Sequence, residues 1–206
     1  MSSRSTIALL FFGMVASAYS GIDLTPTVNE YAANGYKFQQ LIFKDEKRRI
    51  EYEPPRGWNF EGGANQLQLK PKNNFAEAAI TVTPLSKPQP LDENTRTALR
   101  EQFIASLPVG SQFAKVEEEV TNSVLLNGNE SFEITVSYQS TGEKFLRSAL
   151  FVNLKDAQLM FRLTARKDDF QALHRDFKSS IFSWHWTEPD QAPAHVSKNA
   201  EQAPVQ

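Results

Sequence analysis

Three histidines and no cysteine leave this chain few ways to build acid–base, nucleophilic or metal chemistry. His174 borders the apolar stripe of a predicted helix, His185 sits between Trp184 and Trp186, and His195 falls in a Pro-, Ala- and Gln-rich tail. A general base needs a partner within hydrogen-bond reach and room for a substrate. A histidine beside an apolar stripe is expected instead to be partly buried and hydrogen-bonded inside the fold. His185 is expected at an ordinary packing terminus, with a ligand-stacking place between two indoles as its alternative. No Gly-x-Ser-x-Gly string occurs, and Val109-Gly110-Ser111-Gln112-Phe113 reads as a loop after a helix. Neither His-Glu-x-x-His spacing nor an oxygen-rich calcium loop is present, so no metal and no cofactor are expected. Gly62-Gly63 lacks the lysine and the spacing of a phosphate-cradling loop and reads as a turn. Glu117-Glu118-Glu119 alternates faces on a predicted strand, which makes it a solvated run rather than a catalytic carboxylate pair.

The aromatic residues are the remaining candidates. Trp58 and Trp186 lie at element ends, where an indole can be half exposed, and with His185 they form the candidate partner-binding surface. Core packing is the default expectation for both tryptophans, and an exposed pair is the alternative.

These residues have to be positioned by strands and two main helices. Leu159, Phe161, Leu163 and Ala165 share one parity, the mark of a strand with a buried face. The period then changes: Phe170, Leu173, Phe177, Ile181 and Trp184 fall along one helical stripe, with Asp168 and Gln171 as a capping pair. Near the start, Thr25-Pro26-Thr27 predicts a short helix ended by Gly35. Strands are predicted over 36–43 and 49–53, the second ended by Pro54-Pro55, and Arg56-Gly57-Trp58 reads as a turn. Leu67 with Leu69, and Ile80 with Val82, mark two further strands, and Asp92 opens a helix that Pro108 stops. A four-strand meander follows from Gln112, with turns at Asn127-Gly128 and Thr141-Gly142. Residues 145–154 are apolar on both faces and are expected at the centre of the sheet. This order predicts an α/β (α+β) chain: a single antiparallel β-sheet with helices packed on both faces, an α-β-α sandwich, in one domain over 25–187.

At the start, Arg4, an apolar run over 7–16 and small residues at 16–20 form the three-part pattern of a secretory signal peptide over 1–20, with cleavage after Ser20. The run is short for a membrane span, so no stable anchor is expected after cleavage. A secreted or periplasmic location follows, and residues 188–206 are expected to be disordered. Without cysteine there is neither a disulfide nor a lipid-modified thiol, so the core must hold the exported chain together. The charge balance, 22 basic against 24 acidic residues, offers nothing to attract nucleic acid or an anionic membrane.

Three features together resemble the PsbP/Mog-type fold, including the DcrB-related envelope proteins and similar domains of unknown function. They are the hairpin strand running into a proline–glycine–tryptophan turn, Ile50-Glu51-Tyr52-Glu53-Pro54-Pro55-Arg56-Gly57-Trp58; the middle helix followed by a meander; and the closing helix, Phe177-Lys178-Ser179-Ser180-Ile181-Phe182-Ser183-Trp184. That family has no shared catalytic residues, and its members include a photosystem subunit, a Ran-binding protein and envelope- or secretion-associated factors. The resemblance implies an assembly, chaperone or binding role rather than a reaction. This chain lacks the lipid-anchoring cysteine that many envelope members carry. The expectation is a secreted, non-enzymatic protein that binds a protein or peptide partner. A small hydrolase or carbohydrate-modifying enzyme built on His174 or His185, and a carrier of a small apolar ligand between sheet and helix, are the alternatives.

Overall fold

The computed structural model describes residues 21–187 apart from 34, 47, 73 and 74. The signal segment with its Ser20 cleavage, His195 and the 188–206 tail lie outside the described residues. The chain begins with β1 (Ile22–Ala33), β2 (Tyr36–Asp45) and β3 (Arg48–Tyr52). It continues through β4 (Trp58–Gly63), β5 (Gln66–Pro71), β6 (Glu77–Pro84) and α1 (Glu93–Ala105). The meander β7 (Gln112–Thr121), β8 (Ser131–Ser140), β9 (Glu143–Asn153) and β10 (Ala157–Arg166) leads into α2 (Lys167–Ile181) and β11 (His185–Thr187).

These strands form two sheets, which corrects the expected single-sheet α-β-α sandwich. One sheet has four strands in the order β1-β2-β3-β11, the other seven in the order β4-β5-β6-β10-β9-β8-β7. The reason lies at Pro54-Pro55. Neither proline can donate to a ladder, so the chain leaves the first hairpin, turns at Gly57 (φ +80°) and starts a new sheet at Trp58. The predicted helix at 25–35 is likewise a strand. Pro26 is accommodated where the β1–β2 register shifts between Asp23 and Thr27, an irregularity in an edge strand that tolerates a missing N–H. Gly35, with φ +79°, makes the hairpin turn instead of ending a helix. The two sheets meet at this irregularity: Leu24 N–H donates to Ala64 C=O at 3.0 Å. A Cβ on Gly62 would lie 2.5 Å from the Leu24 carbonyl oxygen, so only glycine lets the strands approach there.

The strands of the central meander follow their alternation. Leu159, Leu163 and Ala165 are fully buried and Phe161 nearly so. β9 buries both faces: Leu150 and Val152 join the large core beneath α2 and the four-stranded sheet, while Ala149 and Phe151 join a smaller core with Leu99 and Phe103 of α1. At the start of α1, Asp92 accepts the Thr95 N–H at 2.8 Å, the N-cap its sequence predicts.

α2 differs from its expectation at both ends. It starts at Lys167 directly after β10 with no side-chain cap, so Asp168 and Gln171 do not form the predicted pair; Asp168 and Asp169 instead face the helix dipole in the first turn. The helix stops at Ile181, three residues before Trp184. Serines close it: Ser180 Oγ donates to Phe177 C=O and Ser183 Oγ to Ser180 C=O, both at 2.6 Å. The same serines tie this end to β3, through Tyr52 at 2.8 Å from Ser180 and the Glu53 N–H at 2.8 Å from Ser183. Trp184 then drops, 2 % exposed, among Phe43, Tyr52 and Phe161.

Candidate functional site

His174 is a structural histidine. Its Nε2 lies 2.8 Å from Glu133 Oε1, and its ring stacks on Phe170 with centroids 5.1 Å apart. Lys178, one turn further along α2, donates to the other Glu133 oxygen at 2.6 Å. Burial would raise the pKa of Glu133, but the bonds from His174 and Lys178 outweigh it and hold the carboxyl down at about 2. The void beside this cluster is about 10 Å³, on the order of one water, so no substrate reaches it.

The tryptophan–histidine surface divides between the two sheets. Trp58, at the first position of β4, is 7 % exposed and stacks on Phe177 at 6.2 Å, so it serves the core. Trp186 and His185 lie on β11, a short strand where the sequence predicted a packing terminus. Trp186 pairs with Ile50, and its Nε1 donates to Asp45 at 2.6 Å while Arg48 lies over its ring. His185 is half exposed and sits 3.2 Å from Glu51 Oε2. A polar cleft of about 290 Å³ runs beside Trp186, walled by Asp45, Arg48, Asn127 and Lys155, but Asp45 and Arg48 are already paired at 2.7 Å.

The larger opening was not foreseen. A trough of about 630 Å³ lies at the far end of α2, between Lys167 and the inner face of β7, β8 and β9. Along β8 the residues facing α2 grade from closed to open: Glu133 and Thr135 are buried, whereas Ser137 and Gln139 are half-buried and line the trough. α2 crosses β9 and β10 and leaves this corner of β7 and β8 uncovered. Its floor holds Leu146, and its rim carries Phe113, 79 % exposed and in the left-handed region at φ +54°.

β7 builds the outer wall with two register irregularities, at 112–115 and 116–118. The second makes Glu117 an extra residue and aims it inward, a usual effect of a bulge. Ser137 Oγ donates to Glu117 Oε1 at 2.6 Å and Lys115 Nζ to Oε2 at 3.0 Å. These two bonds, Ser137 first, hold its carboxyl below the usual range. Glu119, from the same acidic run, is bound by Arg100 of α1. The run is exposed, as expected, but two of its carboxylates, Glu117 and Glu119, also serve side-chain pairs. The usable signal was the exposed aromatic at Phe113 beside alternating Lys115 and Glu117, which strand alternation alone treats as surface.

No protein-family model matches the chain, and no curated protein matches it. Solved structures do. LpqN of Mycobacterium tuberculosis, described as involved in cell envelope biogenesis, superposes with a TM-score of 0.51 at 13 % identity, over 81 % of this chain and 91 % of that one. Cyanobacterial PsbP (CyanoP) of Synechocystis sp. PCC 6803 gives a TM-score of 0.50 at 14 % identity, over 87 % of this chain and 99 % of that one. The chain has a PsbP-like fold. The likeness is one of fold, and at this identity it transfers no site residue. Within this PsbP-like fold, no three His, Asp or Glu side chains among the described residues are grouped to hold a metal ion.

Proposed function

We propose that this chain is a non-enzymatic protein of the cell envelope or extracellular space that acts by binding a protein partner. The trough carries this reading. Its volume is that of a binding site, yet its carboxylate and its hydroxyl are bonded to each other and no histidine lines it. A carboxylate held ionised by Ser137 and Lys115 is a poor proton acceptor at neutral pH, so this geometry supports recognition rather than proton transfer. The setting is supported by the signal-like segment over 1–20 and by the envelope role printed for LpqN. The carrier alternative is disfavoured because the space under α2 is filled, and the hydrolase alternative because His174 is committed to Glu133.

Crosslinking the tagged full-length protein in its host, followed by purification from the exported fraction, tests this. A specific, reproducible protein partner is expected. Recovery of none, together with ester or glycoside hydrolysis that His174→Ala or His185→Ala abolishes, would replace this reading with an enzymatic one.

A further inference from the structure

Two cations in the trough make no ion pair among the described residues. Phe145 of β9 faces Arg166 of β10, so one step further Lys144 and Lys167 stand on neighbouring segments. Like charges brought near one another repel. Elsewhere the protein neutralises such groups: Arg166 has Glu143 at 2.7 Å and Lys115 has Glu117 at 3.0 Å. Both Lys144 and Lys167 are exposed, and the ion pairs among the described residues leave both without an acidic partner; Lys167 acts on Glu117 only at longer range. Beside this uncompensated pair lie an exposed phenylalanine and a leucine floor, at Phe113 and Leu146. An apolar surface rimmed by unspent positive charge is complementary to an acidic group next to an apolar side chain.

We propose that the trough is the docking site for an acidic segment of a partner protein, its carboxylates against Lys144 and Lys167 and an apolar side chain against Phe113 and Leu146. The inference rests on the binding reading above and names its site and chemistry. Side-chain recognition is favoured over strand addition, because the free edge of β7 carries two register irregularities and a row of Lys and Glu, features that resist edge pairing. A protein segment is favoured over a small carboxylate because the proposed contacts lie on three elements, Phe113 on β7, Lys144 and Leu146 on β9, and Lys167 on α2. Neighbouring strands lie about 4.8 Å apart, so the β7 and β9 rows are separated by roughly 10 Å. Alternate residues of an extended segment, about 7 Å apart, can reach along such a surface, which one head group does not.

The test uses the full chain after export and a fluorescein-labelled, blocked hexapeptide of sequence Gly-Asp-Phe-Asp-Leu-Gly, followed by fluorescence anisotropy. Binding below about 1 mM is expected, weakened roughly tenfold by combining Lys144→Glu with Lys167→Glu, and weakened again between about 50 and 300 mM salt. Phe113→Ser is expected to weaken it independently of salt. Both lysines are exposed, so unchanged melting confirms that the reversals leave the fold intact. Absence of binding at about 1 mM overturns the proposal, as does equal binding of the peptide with Asn in place of Asp, or indifference to the charge reversals. Decanoate binding more tightly than the peptide and displacing it also overturns it, in favour of a small amphiphile. If crosslinking captures a partner regardless of the reversals, this site falls while the binding reading stands. Charge-dependent peptide binding with no partner captured leaves the site standing and removes the reading.

Discussion

The two ends of α2 face the same side of the same sheet and are finished in opposite ways. At the C-terminal end Phe177, Ile181 and Trp184 are closed over by Trp58, Tyr52 and Phe43, and the helix is tied to β3 through two serine hydroxyls. At the N-terminal end Lys167 overlooks an open trough with two unneutralised lysines and an exposed phenylalanine. Between them, Glu133 marks the boundary, a carboxylate buried beneath the helix and satisfied by His174 and Lys178. The difference teaches that polarity on β8 is not itself a sign of function. The same face is structural where the helix covers it and available where the helix stops.

Breaking the closed end should have the largest effect. Phe177→Ala opens a cavity against Trp58 and is expected to cost about 3–5 kcal/mol in urea denaturation. An unchanged midpoint would show that α2 is not clamped there. At the boundary, the carboxyl of Glu133 lies at about 2 in the folded chain against an ordinary 4.5. A depressed pKa gives stability that is fully present above about pH 4.5 and is lost as pH falls towards 2, here up to about 3 kcal/mol. Glu133→Gln should therefore be less stable at neutral pH and show a flatter acid limb across that window. An identical acid limb would mean that the ion cluster does not help hold the helix.

Much of the closed end is legible in the residue spacing. The burial of Leu159, Phe161, Leu163 and Ala165, and of Phe170, Phe177 and Ile181, follows from periods of two and of three to four, because each element must hide one face. The division into two sheets is not legible that way, since alternation marks a strand without naming its sheet. β4 reads as a turn because Gly57, Gly62 and Gly63 surround Trp58 and Phe60. β11 is too short, at three residues, to show a period. For the site, the committed role of His174 was foreseen, but the trough was not. It depends on where α2 stops covering β8 and on a bulge that redirects Glu117, and both are tertiary facts.

Smaller effects sharpen the contrast. Trp186→Phe keeps an aromatic side chain but loses the 2.6 Å bond to Asp45, and about 1–2 kcal/mol of stability should go with it. Lys144→Glu or Lys167→Glu should shift stability by less than about 0.5 kcal/mol, because neither lysine contributes a pair to the fold. A large loss from either would show that the open end is structural after all.

The most direct test of the trough as the binding face is a ¹H–¹⁵N shift map of the protein titrated with the acidic hexapeptide. Shifts are expected at Lys115, Ser137, Gln139, Leu146 and Lys167, with Trp186 and His185 undisturbed. Shifts gathered around Trp186 and His185 instead, or none at all, would contradict it.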